Sequence, residues 1–266
     1  MKEEKKPYYH RKKKKQKKAT GRSILSNLIL LVAIGVFCFS GFQLFKIWKG
    51  YNTGKKEYAK VRELAVETKK DEKGEETFSV NFEELKKINP DTVAWIRFDP
   101  EPSVINYPVV QGSDNEKYLS KTFSENENTV GAIFLDANAS ADFSDRHTLI
   151  YGHWMRDGSM FRHLEDYREQ SFWEANPYFY LYTPDGKKLT YQIYSVGEVK
   201  DTSDSYLTQF ATDEAFQKFL TMTKDVAQYD TGIAVDTSSR VVTLSTCTSA
   251  GDENRFVVRG VRVKEE

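Results

Sequence analysis

The sequence predicts a mainly β domain, a mainly antiparallel barrel or sandwich of about eight short strands. Three observations carry this prediction. Short runs rich in Val, Ile, Tyr and Phe recur between residues 93 and 263, separated by clusters of Pro, Gly, Asn and Asp. No internal repeat of about 20–50 residues and no glycine-rich phosphate loop breaks the pattern. Residues 80–266, roughly 185 in all, suffice to bury a core of their own.

The N-terminal segment is of another kind. Residues 1–23 hold 11 basic and 2 acidic residues, so the neutral chain is split into a +9 tail and a −9 remainder. Residues 24–45 carry no charge, and at helical rise they span about 33 Å, enough to cross the hydrocarbon core of a bilayer. Lys46, Trp48 and Lys49 follow as interface anchors. This predicts a basic cytoplasmic tail (1–23), a transmembrane signal anchor (24–46) and an extracellular remainder. A cleaved signal peptide is the rival reading, but its apolar core is usually shorter and no A-x-A-like site follows. A basic tail running straight into a membrane span argues against nucleic-acid binding.

Residues 47–79 are rich in Lys and Glu and read as a stalk. Tyr58, Val61, Leu64 and Ala65 recur there at helical spacing, and Gly74 ends the pattern. The domain then begins at about residue 80. Asn81 followed by Glu84 reads as an N-cap with a capping box, giving a helix to about Ile88 that stops at Asn89-Pro90. Residues 93–97, 104–110 and 131–136 read as strands, with Pro108 placing the second at an edge or bulge. A turn at 111–115 and one helical turn at 116–119 lie between them. Residues 147–153 form a strand ending on Gly152-His153, and a short helix covers about 159–166. Strands at 178–182 and 188–199 make a hairpin around Pro184-Asp185-Gly186. Residues 201–232 form a long insertion, with a helix at 213–226 marked by Phe216, Phe219, Leu220 and Met222.

The last two strands bring the chemistry. The β-branched run 241–247 ends on Cys247, and the strand 256–263 begins beside Arg255. If the two pair, a thiol and a guanidinium share one rim of a sheet. A thiol nucleophile needs a base or cation to become thiolate, and an arginine can stabilise an oxyanion. The other cysteine, Cys38, lies in the apolar span, so Cys247 is the sole thiol beyond it and has no intramolecular disulfide partner there. A buried structural cysteine remains the plain alternative. Beyond the span the histidines are His147, His153 and His163. His147 opens its strand and His153 closes it, so a strand-end base points to His153, while His163 reads as surface or packing. Arg259 shares a face with Arg255 but lies roughly 13 Å further along, too far to share one oxyanion. No Cys/His spacing suits zinc.

Thr243-Leu244-Ser245-Thr246-Cys247, with Arg255 downstream and Tyr151-Gly152-His153 upstream, resembles a sortase over about residues 80–266. Class B is the most similar, from the helical N-terminal segment, Gln111-Gly112-Ser113-Asp114-Asn115 before Tyr118-Leu119, Gly131-Ala132-Ile133-Phe134-Leu135-Asp136, and the helix between the sixth and seventh strands. Asp99-Pro100-Glu101 departs from the lid motif of the pilin-polymerising class. The resemblance implies an eight-stranded sortase-type barrel and a cysteine transpeptidase without metal or cofactor. It implies Cys247 as nucleophile, His153 as acid–base, Arg255 as oxyanion ligand, and Ser245, Thr246, Asn115 and Tyr206 as substrate-binding residues. The implied partners are exported proteins with a C-terminal sorting motif, cleaved after Thr, and an amino group of a peptidoglycan precursor. A peptidase that only hydrolyses, a pilin polymerase and a non-catalytic tethered binding module stay open on sequence alone.

Overall fold

The computed structural model describes residues 20–70, 76–248 and 251–266; the basic residues 1–19 and Gly74 lie outside them. Helix α1 (Thr20–Ala65) is continuous. Between Leu25 and Trp48 its large apolar side chains are exposed on every face. Among the described residues it is the one helix long and apolar enough to cross a membrane.

The compact unit that contains the barrel begins at Lys49, well before the boundary expected at residue 80. The segment read as a stalk is built into it. Tyr58, Val61 and Ala65 lie on one helical face and are buried in the core. Leu64, grouped with them by spacing, is exposed because it sits about a third of a turn off that face. A hairpin not foreseen in the sequence follows, β1 (Val66–Lys70) with β2 (Glu76–Val80), in antiparallel register Val66↔Val80. Its strands are short and largely charged or polar, so no apolar alternation reveals them. Helix α2 (Phe82–Ile88) has the expected N-cap, with Asn81 Oδ1 accepting from the Glu84 amide at 3.1 Å, but the Asn81 amide donates to the Ala65 carbonyl at 2.7 Å instead of closing a capping box with Glu84.

The barrel strands are β3 (Thr92–Phe98), β4 (Asn106–Val110), β5 (Ile133–Leu135), β6 (His147–Tyr151), β7 (Tyr178–Tyr182), β8 (Lys188–Lys200), β9 (Val241–Thr248) and β10 (Gly251–Glu265). They close in the order β10-β8-β7-β3-β4-β5-β6-β9. Eight strands in a mainly antiparallel arrangement were expected, and six of the eight neighbouring pairs are antiparallel. The remaining pairs, β4–β5 and β6–β9, are parallel, so the barrel is mixed. Parallel neighbours need long connections, and both pairs have them. The helix expected near 159–166 is a 3-10 segment (Arg162–Arg168) followed by helix α3 (Gln170–Ala175).

The parallel seam positions the site. In the register His147↔Val241 to Tyr151↔Ser245, the C-terminal ends of β6 and β9 reach the same rim. Gly152 extends the pairing by donating its amide to the Ser245 carbonyl at 3.1 Å. A Cβ at Gly152 would lie 2.5 Å from Ile133 Cδ1 and 2.7 Å from Phe161 Cδ2, so glycine permits this close approach.

The insertion between β8 and β9 is tied down twice. Helix α4 (Asp213–Asp225), capped by Thr212, packs Phe216, Phe219 and Leu220 against Tyr194, Val241 and Val261. Beneath the insertion runs a buried polar seam. His147 is fully buried; its Nδ1–H donates to the Leu207 carbonyl at 2.6 Å, so Nε2 accepts from Thr243 Oγ1 at 2.7 Å. Arg259, treated in the sequence reading only as a distant neighbour of Arg255, is also fully buried and donates to Ser195 Oγ at 3.1 Å and Ser205 Oγ at 2.9 Å.

Burial pushes the His147 imidazole down to about 4, against the opposing pull of its bond to Leu207. A folded value below the ordinary 6.5 means that the unfolded chain takes up this proton first. The contribution to stability is therefore complete above about pH 6.5 and falls as the pH drops towards 4, by at most about 3 kcal/mol. The urea unfolding midpoint of the full chain in detergent should be lower at about pH 5 than at about pH 7, and His147→Gln should narrow that gap. An equal gap in the variant would show that other groups set the acid sensitivity.

Candidate active site

A cleft of about 390 Å³ opens where β6 and β9 end and β10 begins. Its wall includes His153, Cys247 and Arg255, together with Ser245, Thr246, Asn115 and Tyr206. All seven residues singled out in the sequence meet at this one place.

Cys247 is half-buried on β9, and its direct antiparallel partner on β10 is Arg255. Directly opposed residues project to the same face with Cβ atoms about 5 Å apart, so the register alone sets thiol and guanidinium side by side. Between them the hairpin has an irregular register from Gly251 to Arg255, which absorbs the loop without disturbing the pair. Arg255 is in turn held by Asp201, with Nη2 3.5 Å from Oδ2, and it donates from Nη1 to the Asn254 carbonyl at 3.1 Å. Asp201 was missed in the sequence. It is the first residue of the insertion, and nothing in local spacing links it to a guanidinium 54 positions later.

His153 follows the end of β6. Its Nε2 lies 2.7 Å from the Leu119 carbonyl oxygen. A carbonyl only accepts, so Nε2 carries the proton and Nδ1 is the nitrogen left for proton exchange in the cleft. The ring is thereby fixed as one tautomer. The other two described histidines lie elsewhere: His147 is in the buried seam, and His163 bonds Asp166 at 2.7 Å.

The remaining wall is a set of interlocked polar groups on an apolar floor. Ser245 Oγ and the Tyr206 hydroxyl share a hydrogen bond of 2.8 Å, fastening the insertion to β9. Alternation puts Ser245 and Cys247 on one face and Thr246 on the other. The Thr246 hydroxyl is buried with no hydrogen-bond partner among the described residues. Asn115 donates from Nδ2 to Asp136 Oδ2 at 2.8 Å and accepts from the Ala137 amide at 2.8 Å. The same Asp136 oxygen accepts from the Tyr151 hydroxyl at 3.2 Å. Burial first, and the Asp136 carboxylate second, push the Tyr151 phenol well above its usual range, so it stays a neutral donor. Leu119, Phe134 and Tyr151 supply the floor. Asp136 and Tyr151 were present in the quoted motifs, but their pairing required the β5–β6 register.

A thiol, an imidazole of fixed tautomer and a clamped guanidinium on one wall can form and resolve a thioester. Comparison with known proteins agrees. The family model for the sortase domain matches residues 100–263. Sortase B of Listeria monocytogenes is 33% identical over 252 residues, which span 90% of this chain and 97% of that protein.

The chain belongs to the sortase B family.

Sortase B proteins of known structure share the fold. The Staphylococcus aureus sortase B–substrate complex gives a TM-score of 0.64 at 34% identity, covering 69% of this chain and 84% of that one. A sortase B complexed with triglycine gives 0.63 at 35% identity, covering 69% and 85%. As a sortase B the molecule is a cysteine transpeptidase.

Proposed function

We propose that this sortase B cleaves the C-terminal sorting signal of exported proteins after Thr and joins the new carboxyl end to an amino group of a peptidoglycan precursor. The observation that carries the reading is the register of β9 with its two neighbours. Through β6 it brings His153 to the rim, and through β10 it sets Arg255 opposite Cys247.

Cys247 passes its thiol proton to His153 Nδ1, and the thiolate attacks the carbonyl carbon of the Thr residue. Arg255 donates hydrogen bonds to the resulting oxyanion, and Asp201 keeps the guanidinium aimed. Collapse breaks the C–N bond as His153 Nδ1–H delivers a proton to the leaving amine. A thioester and a neutral His153 remain. The incoming amine attacks the thioester carbon, His153 Nδ1 takes its proton, and expulsion of the thiolate leaves a new amide. Ser245, Tyr206 and Asn115 border the path of the peptide, with Thr246 beside them. The triglycine complex of a related sortase B supports an acceptor with a free glycine amine.

The apolar part of α1 anchors the chain in the cell membrane, with the basic tail cytoplasmic and the cleft outside. Tethering keeps the enzyme beside substrates and acceptors that are also at the membrane.

The test is cleavage of a peptide library by the full chain in detergent, with and without triglycine, followed by mass analysis. Cuts after Thr and a triglycine-ligated product are expected. Hydrolysis alone at saturating triglycine would make the protein a peptidase in practice. Cuts at other residues would remove the Thr assignment.

A further inference from the structure

The contacts around His153 lead away from the cleft to the N-terminal helix. Gly131 has φ +61, and a Cβ there would lie 2.7 Å from His153 Cδ2, 2.7 Å from the Tyr118 carbonyl and 3.0 Å from the Leu119 carbonyl. Two of these three neighbours are backbone, so the space cannot be relieved by a rotamer change. Gly131 thus lies against the edge of the imidazole, beside the Leu119 carbonyl that the ring bonds.

This cradle is held by α1. The Tyr58 hydroxyl donates to the Gly131 carbonyl at 2.7 Å and accepts from the Phe123 amide at 3.1 Å. One buried phenol therefore ties two points of the loop between Leu119 and Gly131, one at Phe123 and one at its end. Gly50 and Gly54 continue the same helical stripe at intervals of four. The Gly50 carbonyl accepts from Asn128 Nδ2 at 3.0 Å, and a Cβ at Gly54 would lie 3.1 Å from Val130 Cγ2. Glu57 adds a bond to the Ser124 amide at 3.0 Å. The small residues let the loop lie against the helix, and the tyrosine fixes its height.

We propose that Tyr58 and Gly131 are positioning residues for His153: the helix leading from the apolar segment sets the loop that holds the imidazole in its Nε2–H tautomer. The proposal rests on the reading of His153 as the proton carrier. Neither residue lines the cleft itself, so both act through Leu119 and the ring. Misplacing a proton carrier slows the chemical step and leaves peptide binding largely intact, so kcat should fall while KM holds.

The test uses the full chain in detergent with nitrogen-15-labelled histidine. His153→Ala assigns the ring signals. At a pH where the ring is neutral, wild type should show His153 protonated at Nε2. Tyr58→Phe keeps the ring and removes the hydroxyl; it should give mixed tautomers and a fall in kcat of about fivefold, the effect of one net hydrogen bond. Gly131→Ala should displace the ring and cost about a hundredfold in kcat. If Gly131→Ala does not fold, Tyr58→Phe decides alone. A folded Tyr58→Phe with wild-type His153 signals and kcat within about twofold overturns the proposal. Should His153→Ala itself cleave at the wild-type rate, His153 leaves the chemistry, and the ring signals alone then decide whether Tyr58 and Gly131 set the tautomer.

Discussion

Cys247→Ala should abolish the thioacyl adduct and lower peptide cleavage by at least about 10⁴-fold, in line with the loss of a nucleophile from a coupled catalytic group. The reason is elementary. The chain has two cysteines, and Cys38 lies in the apolar part of α1, remote in sequence from the barrel. No second sulfur can replace Cys247. Its surroundings would barely change, because the side chain is half-buried and small, and the β9–β10 register is set by backbone bonds. The variant should fold and bind peptide with little change in affinity. Intact-mass measurement after mixing with peptide is the check: an adduct on wild type and none on the variant. Turnover of Cys247→Ala within tenfold of wild type would remove the thiol from the mechanism.

Arg255→Lys should cost about a thousandfold in kcat/KM although the charge is kept, because a directed donor to an oxyanion is lost. Asp201 sharpens this expectation. A guanidinium can present some donors to Asp201 and others to the substrate, whereas an ammonium is a single point charge. Lys at this position can satisfy Asp201 or the oxyanion but is too compact to span both. Alkylation of Cys247 should keep nearly its wild-type pH dependence, since a positive charge remains nearby. Cleavage close to normal in Arg255→Lys would show that Arg255 serves only as local charge. A large shift of the alkylation profile would instead show that Arg255 acts on the thiol in a way a bare charge does not, and that the lost activity is not the oxyanion bond alone.

These expectations were legible in the sequence to different depths, and the difference has a physical basis. The pairing of Cys247 with Arg255 could be read because a hairpin is local: the two residues are separated by one loop, and strand geometry does the rest. The Asn81 cap and helix α4 were legible for the same reason, as signals within one turn or one face. What escaped notice depends on distant register. The parallel β6–β9 seam joins residues nearly a hundred positions apart, and no period within either strand reveals its direction. The Leu119–His153 bond spans 34 positions and the Tyr58–Gly131 bond 73. Arg259 was read only in part, because strand alternation places it on the Arg255 face without saying that the insertion between β8 and β9 closes over it. The β1–β2 hairpin escaped because Val66–Lys70 is mostly charged or polar.

The bond between His153 Nε2 and the Leu119 carbonyl has a kinetic consequence. With one ring nitrogen committed to backbone, every proton on the proposed pathway passes through Nδ1. The departing amine and the arriving amine then need the same few cubic ångströms beside that atom. On that pathway the two cannot be served together, so the first product leaves before the acceptor enters. The order of events is double displacement, imposed by the location of a single lone pair.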